Sequence, residues 1–129
     1  HTPDGLKKVI TTLENHFKKS VNIVFGCGGN RDKGKRGKMG KIVNKLCKKI
    51  IVTDDNPRDE NPRDITKQIY KYIDDGSIIN NRRLAIKKAI KSIGSKEVLL
   101  VAGKGHENYQ IIKGKKFHFS DYEEIIKNL

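Results

Sequence analysis

The sequence contains no tryptophan, and aromatic side chains make up only 6% of its 129 residues. Scarce aromatics argue against a single-stranded nucleic-acid surface, because such a surface needs side chains on which bases stack. No apolar run approaches the roughly 20 residues needed to cross a bilayer, so no membrane partner is expected. The two cysteines, Cys27 and Cys47, cannot form a disulfide framework, which favours a reducing cytoplasm.

The first ten residues, HTPDGLKKVI, have neither an initiator Met nor the layout of a signal peptide. We therefore expect a cytoplasmic chain that is a fragment or a processed product. Its length suits a single domain, and a monomer is expected.

Acidic residues are also scarce relative to basic ones, which leaves a formal net charge of +13. The basic residues are 22 lysines and 6 arginines, and the lysines are spread along the whole chain. Diffuse charge of this kind is typical of a solvated surface and favours no nucleic-acid partner. A stand-alone basic module that binds nucleic acid or another polyanion stays open as the alternative.

Apolar spacing predicts a Rossmann-like α/β fold, with an open, mostly parallel sheet, helices on both faces and an antiparallel C-terminal hairpin at its edge. Helical periodicity covers residues 6–17, 39–47, 65–73, 86–93 and 122–129. Short apolar runs predict strands at 21–25, 50–53, 78–79 and 98–102, and a hairpin at 109–112 and 116–119. In the last helix, behind a Ser120–Glu123 capping box, the inward side chains are predicted to be Tyr122, Ile125, Ile126 and Leu129.

Three strands are followed by unusually polar loops: GCGGNRD, DDNPRD and AGKGHE. Because the carboxyl ends of parallel strands share one edge, these loops are expected to converge on a ligand. The polar residues expected there are Arg31, Asp32, Asp55, Asn56, Arg58, Lys104, His106 and Glu107.

The first loop fits neither common phosphate-binding pattern. The G-x-G-x-x-G spacing that starts at Gly26 has Arg31 at its last position. Residues 29–35 match G-x-x-x-x-G-K, but the next residue is Arg36 where a P-loop has Ser or Thr. A tight strand-to-helix turn explains the glycines equally well, although Lys33, Lys35 and Arg36 could still contact a phosphate as point charges.

The second loop suits an amino acid. The Arg58 guanidinium can bind a carboxylate at two points, and Asp55 and Asn56 can accept from an ammonium. An Asx-type turn before a helix is an equally good explanation of the same residues. In the third loop, Gly103 would let the backbone approach a ligand, and Glu107 adds another ammonium acceptor. The cysteines and histidines lack zinc-site spacing, so no metal site is expected.

Taken in order, VFGCGGNRDKGKRGKMG, VTDDNPRDENPR, VLLVAGKGHENYQI and FSD closely resemble the C-terminal domain of the Mur ligases. The resemblance covers almost the whole chain and is strongest to the members that add meso-diaminopimelate to UDP-N-acetylmuramoyl-L-alanyl-D-glutamate. Residues 1–4, HTPD, resemble the tail of the linker from the family's central domain. Residues 1–129 are therefore predicted to be a Mur ligase C-terminal, amino-acid-binding domain.

The resemblance implies part of a cytoplasmic, ATP- and Mg²⁺-dependent amide-bond ligase of peptidoglycan synthesis. In that reaction ATP phosphorylates the D-glutamate side chain, and the amine of the amino acid attacks the acyl phosphate. The family binds the UDP-muramoyl dipeptide, Mg²⁺ and most of ATP in two other domains. This chain alone is therefore predicted to be inactive, with no catalytic residue and no metal ligand.

The family's D-N-P-R motif falls on Asp55, Asn56, Pro57 and Arg58, and its other meso-diaminopimelate contacts fall on Arg31, Gly103 and Glu107. The resemblance further places His1 and Asp32 near the nucleoside of ATP and Lys35 near its phosphates. Within the motif, Arg58 is expected to select diaminopimelate over lysine. The chain departs from the family's KRPLMG at Gly37 and Lys38, which is expected to loosen the start of the second helix.

Overall fold

The computed structural model describes residues 2–104 and 107–129. Within those ranges no helix is both long and apolar enough to traverse a bilayer. In chain order the elements are α1 (Pro3–Phe17), β1 (Ser20–Phe25), α2 (Gly34–Leu46), β2 (Ile50–Val52), α3 (Pro62–Tyr70), β3 (Ser77–Ile78), α4 (Arg82–Ser92), β4 (Glu97–Ala102), β5 (Tyr109–Ile112), β6 (Lys115–His118) and α5 (Asp121–Lys127).

Four parallel strands form the central sheet in the order β3-β2-β1-β4. Strand β1 pairs on one side with β2, from Ile23 opposite Ile50, and on the other with β4, from Ser20 opposite Glu97. Each crossover between these strands contains a helix. The parallel order places the loops after β1, β2 and β4 at one edge, as the sequence predicted.

Alternate residues of the strands supply two cores, one on each face of the sheet. Val21, Ile23 and Phe25 face the larger core, which α1, α2 and α3 cover. Val24 and Ile51 face the smaller core, which α4 and α5 cover. The prediction of helices on both faces is therefore confirmed.

Side-chain caps fix the starts of the helices that frame the sheet. Thr2 Oγ1 accepts from the Gly5 amide at 3.0 Å, and Pro3 occupies the first turn of α1. Helix α2 has a weaker start, because Lys33 at its N-cap position makes no side-chain cap. The Asp32 carboxylate instead accepts from the Gly34 amide at 2.9 Å.

The C-terminal hairpin forms its own two-stranded sheet, so the prediction that it extends the edge of the main sheet is wrong. Its first strand instead makes a parallel bridge between Ile112 and Arg58. The Arg58 amide donates to the Ile111 carbonyl at 3.0 Å, and the Lys113 amide donates to the Arg58 carbonyl at 2.7 Å. The hairpin therefore braces the loop after β2.

Helix α5 presents a different face from the one predicted. Tyr122, Ile126 and Leu129 are exposed, and only Ile125 packs against the smaller core. Two acidic residues of the same helix, Asp121 and Glu124, are buried instead. The physical cause is the pair of arginines that begins α4.

Arg82 Nε and Nη2 donate to the two Asp121 carboxylate oxygens at 2.7 Å each, and Arg83 Nε lies 3.1 Å from Glu124 Oε1. These ion pairs turn the acidic face of α5 inward. The predicted cap is confirmed, since Ser120 Oγ accepts from the Glu123 amide at 3.2 Å. The Glu123 carboxylate, however, contacts the His118 ring rather than completing a capping box.

Candidate functional site

A cavity of about 600 Å³ opens at the carboxyl edge of the central sheet. All three polar loops contribute to its wall, together with the first turns of α1 and α2. The predicted site residues that line it are Arg31, Asp32, Lys35, Asp55, Asn56, Arg58, Gly103 and Glu107. Arg31, Asp32 and Lys35 are exposed at its rim, whereas Asp55 and Asn56 are buried.

Arg31 and Glu107 come from loops more than 70 residues apart, yet both line this cavity. The carboxyl-edge rule therefore brought Arg31 and Glu107 to one cavity, as expected. Pro57 is buried and lies behind the cavity rather than in its wall. His1 and His106, which the sequence analysis also singled out, lie outside the described residues.

Two glycines of the first loop are required by its close approach to the second loop. A side chain at Gly26 would fall on the Thr53 carbonyl oxygen, and one at Gly29 would fall on the Pro57 carbonyl. The two loops are also hydrogen bonded, because the Gly29 amide donates to the Asn56 carbonyl at 2.7 Å. The glycines thus serve close backbone packing, and not a nucleotide-binding turn.

Asn56 is the centre of the hydrogen-bond network in the second loop. Its Oδ1 accepts from Lys104 Nζ at 2.9 Å and from the Ile111 amide at 3.0 Å. Its Nδ2 lies 3.4 Å from Glu107 Oε1. Asn56 therefore ties the third loop and the hairpin to the second loop. The expectation that its oxygen is free to accept from a ligand ammonium is wrong, since two internal donors already occupy it.

Arg58 is held by both its side chain and its backbone. Its Nη1 donates to the Gly29 carbonyl at 3.0 Å, and its φ of 52° lies in the left-handed region that non-glycine residues rarely adopt. In the described part of the chain the side-chain hydrogen bonds of Arg58 all come from Nη1. Nη2 and Nε therefore remain for a ligand, and they suit a carboxylate.

Arg36 does not face the cavity, so the suggestion that it contacts a phosphate is wrong. It is 1% exposed and donates to the Gly28 carbonyl at 3.1 Å, to Gln68 Oε1 at 3.0 Å and to both Glu60 oxygens. The hydrogen bonds from Arg36 lower the pKa of Glu60 from 4.5 to about 2. Arg36 therefore stabilises the first loop by linking the Gly28 carbonyl to Glu60 outside the cavity.

Cys27 lines the cavity, but its surroundings make it a poor nucleophile. Burial raises the pKa of the Cys27 thiol to about 11, and its Sγ lies 3.6 Å from the Met39 sulfur. A thiol with this pKa stays protonated near neutral pH, and the thiolate is the reactive form. Among the described residues, no group of three or more His, Cys, Asp or Glu side chains is placed to hold a metal ion.

Among the described residues, Asp32 and Lys35 at the rim of the cavity have the chemistry to contact a nucleotide. The exposed Lys35 in the first turn of α2 is a suitable point charge for a phosphate. The nearby Asp32 carboxylate already accepts from the Gly34 amide, which leaves its other oxygen for a sugar hydroxyl. The described residues supply no set of Mg²⁺ ligands.

The fold and the site together define an α/β domain with a cavity, lined by both basic and acidic side chains, at the carboxyl edge of its sheet. Residues 1–105 match the family model described as "Mur ligase, glutamate ligase domain". The chain belongs to this family, as its C-terminal domain.

Among curated proteins, the chain is 50% identical to the UDP-N-acetylmuramoyl-L-alanyl-D-glutamate–2,6-diaminopimelate ligase of Rickettsia felis, over 98% of the chain and 25% of that protein. It is 48% identical to ligase 1 of the same name from Clostridium acetobutylicum, over 100% of the chain and 28% of that protein. The chain thus spans about a quarter of the length of these relatives.

A solved structure of a ligase of the same name superposes with a TM-score of 0.92 at 39% identity, over 99% of this chain and 27% of that one. A folylpolyglutamate synthase from Thermotoga maritima superposes with a TM-score of 0.56 at 19% identity, over 77% of this chain and 22% of that one. This second likeness concerns the fold alone.

Proposed function

We propose that this chain is the domain that binds meso-diaminopimelate in a ligase that adds this amino acid to UDP-N-acetylmuramoyl-L-alanyl-D-glutamate. The observation that carries the proposal is the convergence of Arg31, Arg58, Asp55 and Glu107, from three separate loops, on one cavity. The substrate is inferred from the names of the two curated relatives, which are 50% and 48% identical to the chain.

The charges of the cavity match the two ends of this amino acid. Diaminopimelate carries an ammonium and a carboxylate at each end, so its binding site needs both cations and anions. Arg58 and Arg31 are the guanidinium groups available to carboxylates, and Asp55 and Glu107 are the acceptors available to an ammonium. Lysine lacks the second carboxylate, so it would leave one of these guanidinium groups without a partner.

ATP, Mg²⁺ and the UDP-muramoyl dipeptide belong to the same proposal. When bound, ATP supplies the phosphoryl group that activates the D-glutamate carboxylate. This chain would orient the incoming amine toward that carboxylate and, through Asp32, Lys35 and the undescribed His1, touch the rim of the nucleotide. We place the reaction in the cytoplasm, with the chain as part of a monomer.

The proposal is tested by titrating the ¹⁵N-labelled chain with meso-diaminopimelate, with L-lysine and with a random oligonucleotide, each followed by two-dimensional NMR. We expect meso-diaminopimelate to shift the amide signal of Gly103 and the side-chain NH₂ signal of Asn56, and to bind more tightly than lysine. A chain that ignores both amino acids but binds the oligonucleotide in a salt-dependent manner would be a polyanion-binding module instead.

A further inference from the structure

Lys104 is a buried cation at the base of the candidate site. Its side chain is fully excluded from solvent, and its Nζ lies 3.1 Å from Asp55 Oδ1 and 4.0 Å from Glu107 Oε1. Nζ also donates to the Tyr109 carbonyl at 2.9 Å. Lys104 is absent from the cavity wall, so it acts on a ligand only through its neighbours.

The contacts of Lys104 determine which way the Asn56 amide points. An ammonium and a backbone N–H can only donate, and both lie within 3.0 Å of the same Asn56 atom. That atom must therefore be the carbonyl oxygen. The NH₂ group is left on the side of Glu107 and the cavity, where the described residues engage one of its two hydrogens.

We propose that Lys104 is a positioning residue that holds the Asn56 oxygen inward, so that Asn56 presents an N–H donor to the cavity and binds a carboxylate of the amino acid. This inference rests on the proposed function and adds that Asn56 is the donor, and the amino acid the acceptor, in their hydrogen bond. It groups Asn56 with the guanidinium of Arg58 at the carboxylate-binding end. The ammonium-binding end is left to Asp55 and Glu107.

Lys104 also sets the net charge of that ammonium-binding end. Asp55 and Glu107 carry two negative charges, and the Lys104 ammonium beside them reduces the sum to one. One net negative charge matches the single ammonium of a diaminopimelate end, whose carboxylate lies next to it. Without Lys104 the same wall would favour an amino acid that ends in an ammonium alone, such as lysine.

Asn56→Asp is the sharper test, because it keeps the shape of the side chain and its ability to accept from Lys104 and Ile111. If Asn56 donates to a carboxylate, the variant should lose meso-diaminopimelate affinity by about tenfold or more, while lysine affinity is kept or increased. The exposed Asn15→Asp is the matched control, since it adds the same charge to α1. A gain in diaminopimelate affinity would show that Asn56 accepts from an ammonium and would overturn the inference.

Lys104→Met tests the source of the orientation. We expect the ratio of diaminopimelate to lysine affinity to fall by about tenfold, Lys104→Arg to restore part of it, and the exposed Lys88→Met to leave it unchanged. If Lys104→Met does not fold, the affinities of Asn56→Asp for the two amino acids decide whether Asn56 donates to a ligand carboxylate. A wild-type chain that binds neither amino acid would overturn the proposed function itself. A wild-type preference for diaminopimelate that Lys104→Met and Asn56→Asp both retain would overturn the inference and leave the proposed function standing.

Discussion

At the scale of single residues, Arg58 combines an uncommon backbone conformation with a guanidinium whose hydrogen bonds to the described residues come from Nη1 alone. Its positive φ is maintained by two backbone hydrogen bonds to the β5 hairpin. Strained backbone of this kind costs about 1–3 kcal/mol and is concentrated at binding and catalytic sites. The structure thus retains Arg58 in a geometry that directs its side chain to the cavity.

Removing the Arg58 guanidinium should therefore weaken one ligand selectively. Loss of one half of a desolvated charge pair costs about 2–5 kcal/mol, so Arg58→Ala should reduce meso-diaminopimelate affinity by roughly 30-fold or more. Lysine affinity should change little, because lysine has no second carboxylate. Isothermal titration of both amino acids checks this, with the exposed Arg63→Ala as control. Equal losses for both amino acids would make Arg58 a scaffold residue.

Glu60 should make the first loop sensitive to acid. Because Arg36 depresses the pKa of Glu60 to about 2 from a usual 4.5, the pair stabilises the fold above pH 4.5. That contribution should be lost as the pH falls from 4.5 toward 2. In urea denaturation at several pH values, Glu60→Gln should be less stable by about 2 kcal/mol at pH 7, below the roughly 3–5 kcal/mol of a fully buried pair because Glu60 is partly exposed.

The Glu60 variant should also show a smaller loss of stability across that acidic range. An exposed carboxylate such as Asp64, at the start of α3, provides the control in Asp64→Asn. An acid dependence that is identical in the wild type and in Glu60→Gln would contradict the role given to the Arg36 pair.

At the scale of elements, helix α5 illustrates how ion pairs override an apolar pattern. Tyr122 and Ile126, with Leu129 just beyond the helix, form an exposed apolar stripe, yet the buried Arg82 fixes the opposite orientation. Arg82 Nη1 and Nη2 also donate to the Asp54 and Ala102 carbonyls at 2.9 and 3.0 Å. The FSD segment therefore anchors α5 to the carboxyl ends of β2 and β4.

Two substitutions in neighbouring positions of α5 should have very different effects. Asp121→Ala breaks a buried bidentate pair and leaves Arg82 charged and unpaired, which should cost about 3–5 kcal/mol of unfolding free energy. Tyr122→Ala removes a side chain that is 73% exposed and should change stability by less than about 0.5 kcal/mol. Chemical denaturation measures both. The reverse order would restore the orientation predicted from the apolar stripe.

The order of the helices and strands, the Ser120 cap and the meeting of three loops at one edge could be predicted from the sequence, because they follow from local residue patterns and from the parallel-sheet rule. The roles of Arg36, Lys104 and Asp121 could not. Each of these side chains is held by a partner 24 or more residues away along the chain, and no local pattern identifies that partner.

At the scale of the whole molecule, one edge of the sheet holds a stabilising ion-pair network and the other edge holds the cavity. At the amino edge, Glu97 binds Asn22, Lys48 and Lys49, and the Lys48 contact is the largest cause of the lowered pKa of its carboxyl. This network joins β1, β4 and the start of β2. The Glu97 network therefore stabilises the sheet at the edge opposite the one that holds the cavity.

The isolated chain should not turn over ATP. The residue after the G-x-x-x-x-G-K pattern is the buried Arg36, and the described residues hold no metal-ion cluster. Phosphate release from Mg²⁺-ATP, with the UDP-muramoyl dipeptide and meso-diaminopimelate present, should equal that of a sample without protein. Release that depends on the dipeptide would show that the chain carries catalytic groups of its own.

A crystal structure of the chain with meso-diaminopimelate would show whether the cavity binds this amino acid by opposite charges. We expect one ligand carboxylate on Arg58 and the Asn56 NH₂ group, with the adjacent ammonium on Asp55 and Glu107. Diaminopimelate bound outside the cavity, or bound with its ammonium on the Asn56 amide, would contradict this expectation.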